Sequence, residues 1–135
     1  MRGLTVGVVT TPELHADWHS LALHAGARPT GFRLLQELGE GWEPNCWLVV
    51  LDPRHSPVPL KFWLKQLRGP LVLVTPHLVA GQTLCGWLPN LKIICHPVRA
   101  ATALPEVLSM ALALNNGTLV LDEVELRSRE WGGHA

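Results

Sequence analysis

The chain has 135 residues with 11 Lys+Arg against 11 Asp+Glu, and its 16% charged fraction falls below the roughly 25% of an average domain. That length fits one domain with enough buried surface to need no disulfide or metal staple. Zero net charge leaves no basic footprint for nucleic acid and no repulsion between copies, and no apolar run reaches the about 18 residues of a membrane span.

In chain order, Leu4–Val9 is a near-continuous apolar run, which predicts a strand buried on both faces. Thr11, Pro12 and Glu13 then open a helix, as cap, first-position proline and dipole partner. Its stripe is Leu14, Trp18, Leu21, Ala22 and Ala25, and Gly26 ends it. Arg28–Phe32 reads as a weak strand, placed at an edge by Pro29. Leu34–Leu38 predicts a short helix, stopped by Gly39 and Gly41. The apolar run Cys46–Leu51 holds a third strand, Trp47–Leu51, closed by Asp52 and Pro53. Leu60–Leu67 is amphipathic and stops at Gly69-Pro70. Leu71–Val74 is the fourth strand, ending at Thr75-Pro76. Leu78–Trp87 predicts a helix despite Gly81 and Gly86. Leu91–Cys95 is the fifth strand, ending at His96-Pro97. Ala100–Leu114 predicts the last helix, with Leu104, Val107, Leu108 and Ala111 on one face and Pro105 tolerated in its first turns.

Five β-α repeats imply a parallel sheet with helices on both faces. Right-handed crossovers leave the flavodoxin-like (βα)5 arrangement, an α/β doubly wound sheet of strand order 2-1-3-4-5 in three layers. Asn115, Asn116 and Gly117 break the pattern. Residues 1–116 therefore form the expected domain. Residues 117–135 form a C-terminal extension or linker, in which Leu119–Leu121 reads as an added strand, a linker helix or the start of another domain.

Cys46, Cys85 and Cys95 are odd in number and lack CxxC spacing, so three reduced, buried thiols are expected. The opening Met1–Gly3 shows no signal-peptide apolar region, and a cytoplasmic location is expected. Six Trp and no Tyr place some indoles on contact surfaces. No Gly-rich phosphate cradle, GxSxG elbow or paired carboxylates appear, which argues against a flavin-type ligand site; no cofactor is expected.

Asp52 is the informative residue, because open α/β sheets put their chemistry at the C-terminal ends of strands. These strand ends resemble the receiver domain of two-component signalling over roughly residues 3–115. Asp52 falls at the phospho-acceptor position, Thr75 at the hydroxyl position, and Pro97 at a proline that in the family commonly follows a cis peptide. Thr10 and Thr11 stand where the resemblance implies an acidic pair, His96 where it implies a lysine, and Ile93 where it implies the switch aromatic. Mg²⁺ is held by carboxylates, so hydroxyls in their place remove the metal site. Phosphoryl transfer is mostly electrostatic stabilisation, so the dominant catalytic contribution goes with the metal. His96 is no permanent cation near neutral pH.

The resemblance thus implies a degenerate receiver. Its expected role is a non-enzymatic, phosphorylation-independent protein-interaction and regulatory module, as in hybrid sensor histidine kinases and atypical response regulators. Its expected partner is a protein, another domain of the same signalling protein included, or a second copy, with no direct contact to nucleic acid or membrane. In that family the fourth and fifth helices, with the fifth strand between them, are the common contact face. Leu84, Trp87, Met110 and Leu112 are the candidates here for an exposed apolar patch on it; as an alternative, several of them fill the core. The competing reading is a phosphorylatable receiver that accepts phosphate on Asp52 with an atypical metal arrangement.

Simpler roles stand beside these. Asp52 before Pro53 is also a turn signal. Thr75 is also a strand-end hydroxyl bonded to local backbone. His15 and His19 have the i,i+4 spacing of metal ligands, but the sequence suggests no third ligand. His55, His77 and His96 are loop histidines on the Asp52 side. Cys95 and His96, being consecutive at a strand end, point to opposite faces and cannot pair as nucleophile and base.

Overall fold

The computed structural model describes residues 4–32, 44–51 and 64–121. Asp52, His55, the Leu34–Leu38 segment, most of Leu60–Leu67 and the tail after Leu121 lie outside the described residues. Six strands form one sheet: β1 (Thr5–Thr10), β2 (Arg28–Phe32), β3 (Cys46–Val50), β4 (Leu71–Val74), β5 (Leu91–Cys95) and β6 (Leu119–Leu121). Every pairing is parallel, and the spatial order is β2-β1-β3-β4-β5-β6. The fold is therefore the expected flavodoxin-like α/β sheet, extended by a sixth strand beside the fifth. The helices among the described residues are α1 (Pro12–His24), α2 (Leu78–Gln82), α3 (Pro97–Thr102) and α4 (Leu104–Ala113).

Side-chain alternation along the strands builds two cores. Val6, Val8, Cys46, Leu48, Val50, Val72, Val74, Ile93 and Cys95 face Trp18 and Ala22 of α1 and Leu104, Val107, Leu108 and Ala111 of α4. Val9, Trp47, Val49, Leu71, Leu73, Leu91 and Ile94 face Leu64, Leu67, Leu84 and Leu88. The apolar runs are thus buried on both faces, as a parallel sheet between two layers requires.

Local chemistry corrects three of the expectations. The predicted 78–87 helix closes after Gln82. Beyond it the backbone runs through tight i→i+3 bonds, from Leu84 N to Gly81 O, Cys85 N to Gln82 O and Trp87 N to Leu84 O, each 3.0–3.1 Å. The predicted last helix starts earlier, at Pro97, and is two helices. Pro105 has no N–H to continue the first one, and Ala103 between them leaves the helical region at φ −132° and ψ 42°. Thr11 precedes Pro12 as expected but makes no side-chain cap bond.

Leu119–Leu121 joins the sheet. Its register on β5 is Ile93 with Leu119, Ile94 with Val120 and Cys95 with Leu121. The Thr118 hydroxyl donates to Leu91 O at 2.7 Å, and Gly117 turns into the strand with a positive φ of 81°. Among the described residues no helix is long and apolar enough to cross a membrane.

Candidate functional site

The C-terminal ends of β1, β4 and β5 carry Thr10, Thr75 and His96, side by side with β3, whose following aspartate is Asp52. β1 and β3 adjoin where the strand order reverses, the place at which open α/β sheets leave their ligand crevice. The polar groups at these ends are bonded to backbone. Thr10 is 4% exposed, and its hydroxyl donates to the carbonyl of Val50 at 2.8 Å. Thr75 is fully buried; its Oγ1 accepts from His77 N at 3.1 Å, and its own N–H donates to Cys95 O at 2.9 Å.

His96 is the N-cap of α3. Its Nδ1 accepts from Val98 N at 3.2 Å, and its N–H donates to Leu121 O at 2.9 Å. In this geometry Nδ1 is the acceptor atom of the imidazole, turned back onto the first turn of α3. No cis peptide occurs among the described residues, so the His96–Pro97 bond is trans, unlike the family pattern. Pro97 instead occupies the first turn of α3, where a missing N–H costs nothing.

Thr11, at the position where the resemblance implies the second acid of a pair, is exposed. The next acid, Glu13, is held below the ordinary carboxylate range first by its own backbone N–H and then by the Thr11 side chain. The His15 and His19 rings lie with centroids 5.7 Å apart and planes tilted by 36°. Among the described residues no group of three or more His, Cys, Asp or Glu side chains could hold a metal ion.

Cys46 and Cys95 are buried, and Cys85 is half-buried. Burial pushes the Cys46 thiol up to about 12 and the Cys95 thiol up to about 12, in the latter case against the opposing charge of Arg99. Cys95 Sγ lies 3.5 Å from His96 O, not against the imidazole, so no nucleophile–base pair forms.

The four candidate contact residues do not form one patch. Leu84 is 2% exposed and belongs to the core under β4 and β5. Trp87 is 45% exposed on that same layer. Met110 packs partly against the opposite core, and Leu112 is exposed on the same helix, α4. The expected contact face is altered as well, because the outer edge of β5 is paired with β6. Leu119 on that added strand is 42% exposed.

Sequence reasoning missed two features. Arg99 is 3% exposed, and among the described residues its Nη1 has no hydrogen-bond acceptor. Its position in the first turn after β5 was the available signal. The second is a groove of about 500 Å³ lined by Lys65, Leu67, Arg68, Gly69, Trp87, Pro89 and Asn90. It lies at the N-terminal ends of β4 and β5, opposite the end that bears Thr75 and His96. A cation–aromatic pair 22 residues apart has no local pattern to reveal it, although Trp87 itself stands out as a charge-poor, aromatic surface candidate.

No family model matches the chain, and no curated protein matches it. A solved structure described as amino acids 181–211 of the yeast Spc42 trimeric coiled coil fused to another structure is similar, with a TM-score of 0.60 at 14% identity. The match covers 100% of this chain and 87% of that one, and at this identity the likeness is one of fold alone.

Proposed function

We propose that the chain is a degenerate receiver-like domain that serves two-component signalling as a phosphorylation-independent interaction and regulatory module. The observation that carries this reading is the commitment of the strand-end groups to backbone. Thr10 is tied to Val50 O, Thr75 to His77 N, and His96 to Val98 N. A phosphorylation site needs carboxylates for the metal and a permanent cation for the phosphoryl oxygens. Hydroxyls and a helix-capping imidazole, which is no permanent cation, supply neither. On this reading the sheet and its two packed layers are retained for their surfaces, and the domain works in the cytoplasm with a protein partner.

The test is chemical. The purified domain is incubated with acetyl phosphate and Mg²⁺ and its intact mass is measured. The expected result is an unchanged mass. An added phosphoryl mass that disappears in Asp52→Asn would overturn the reading in favour of a phosphorylatable receiver.

A further inference from the structure

We propose that the groove between the β3–β4 and α2–β5 connections docks an acidic peptide segment of a partner protein, with Lys65 and Arg68 as its charge readers and Trp87 as its apolar floor. The inference deepens the interaction-module reading by naming the partner's chemistry, but its geometry is independent of the strand-end site.

The groove is built, not incidental. Asn90 Nδ2 donates to Leu67 O at 2.9 Å and to Gly69 O at 2.8 Å. Trp47 Nε1, from within β3, donates to Arg68 O at 2.8 Å. Three successive carbonyls of the 67–69 loop thus each accept a side-chain N–H, which holds the loop in place. Gly69 completes the turn at φ +103°. Leu67, 4% exposed, anchors the same loop in the core. The wall that carries Lys65 and Arg68 is therefore pinned from two directions.

Among the described residues, the lining of the groove holds two cations and no carboxylate. Among the described residues the acids are Glu13, Asp17 and Glu106, on α1 and α4 of the opposite layer. With those described acids neither Lys65 nor Arg68 forms an ion pair. Lys65 Nζ instead lies 4.9 Å from the centroid of the Trp87 ring. That ring is 45% exposed, large and rigid, the kind of surface that anchors contacts at low entropic cost.

The complement is a segment with carboxylates for Lys65 and Arg68 and an apolar side chain for the indole. A carboxylate can take the Arg68 guanidinium side-on through two N–H bonds. An extended nucleic acid is disfavoured, because two cations with zero net charge across the chain give too little phosphate neutralisation.

The test uses the whole chain and a fluorescein-labelled peptide of alternating Glu and Asp around one central Phe, read by fluorescence anisotropy at low and high salt. A scrambled-charge peptide with Lys for each acid and a single-stranded oligonucleotide of matched length are the comparison probes. Saturable binding of the acidic peptide is expected, weakened at least about tenfold by K65E/R68E and severalfold by W87A, and weaker as salt rises. These positions are exposed, and an unchanged thermal melt verifies folding. The substitution L23S, at an exposed position of α1 on the opposite layer, is expected to leave binding unchanged.

No binding of the acidic peptide at millimolar concentration, equal binding of the Lys peptide, or indifference to K65E/R68E would each overturn the proposal. Tighter binding of the oligonucleotide would overturn it in favour of a nucleic-acid surface. The measurement involves no phosphate donor, so phosphorylation of Asp52 would sink the interaction-only reading while leaving the groove result standing.

Discussion

The hydroxyl of Thr10 at the end of β1 donates a 2.8 Å hydrogen bond to the carbonyl of Val50 at the end of β3, bridging 40 residues of chain. The bond lies at the point where the strand order reverses, the usual mouth of a ligand crevice in this fold. A group that would hold a metal or substrate as a carboxylate serves, as threonine, to close two neighbouring strand ends.

Replacing Thr10 by Val keeps the shape and removes the donor. Stability is expected to fall by about 1–2 kcal/mol, the cost of a buried carbonyl losing a partner. Thr10→Asp places a carboxylate against that same carbonyl and is expected to cost about 3–5 kcal/mol. Urea unfolding of both variants checks the order. A Thr10→Asp variant as stable as the parent would mean that this strand end is open and hydrated, contrary to its 4% exposure.

Two glycines of the same connection are expected to respond in opposite directions. A Cβ on Gly81 would meet Ile94 Cγ2 at 3.1 Å and both Leu73 Cδ2 and Thr75 Cγ2 at 3.3 Å. Those three residues are fully buried and have little room to move. Gly81→Ala should therefore destabilise by about 1–3 kcal/mol despite its better helix propensity. A Cβ on Gly86 meets nothing within 4 Å. Gly86→Ala should be neutral or stabilising by up to about 1 kcal/mol. Thermal melts of the pair decide it, and a destabilised Gly86→Ala would contradict the open space around that residue.

The buried thiols set a pH dependence. Cys46 and Cys95 are pushed from 9.0 to about 12 in the folded chain. The folded state keeps protons that the unfolded chain releases. Their contribution is therefore fully present below about pH 9 and is lost as pH rises toward 12, at about 1.4 kcal/mol per pH unit for each thiol. Denaturation midpoints measured between about pH 9 and 11 should fall less steeply in Cys46→Ala than in the parent. Alkylation followed by peptide mass mapping should label half-buried Cys85 first.

Arg99 offers a test of buried charge. Among the described residues its Nη1 has no acceptor, and the side chain is almost wholly withdrawn from water. Arg99→Met retains the aliphatic bulk and removes the desolvated guanidinium. The expected change is between zero and about 1 kcal/mol of added stability. A loss of more than about 2 kcal/mol in urea unfolding would instead mean that the guanidinium makes a strong bond in solution.

The strand-end residues show where sequence reading stops. Thr10, Thr11, Thr75 and His96 were placed at their strand ends by counting apolar runs, and the structure puts Thr10, Thr75 and His96 at adjoining ends of one sheet. Their partners were not legible. Thr10 bonds a carbonyl 40 residues away, and His96 receives its second backbone contact from Leu121 of a strand beyond the expected sheet. Leu84 and Trp87 are both large side chains with apolar surface and lie three residues apart. One faces the core and the other solvent because the turns after Gln82 replace helical periodicity with another spacing.

By itself the sequence determined the alternation of buried strands and helices, the parallel sheet that follows from it, and the threonines in place of carboxylates at the end of the first strand. Those properties reside in local periodicity and residue identity. The tertiary structure alone decided that Leu119–Leu121 covers the edge of β5, that Pro105 divides the last helix, and that Lys65 meets Trp87 over a loop pinned by Asn90 and Trp47. Each of these depends on which distant groups satisfy a backbone donor, a backbone acceptor or a cation. Such pairing is fixed by packing across the sheet and leaves no periodic trace along the chain.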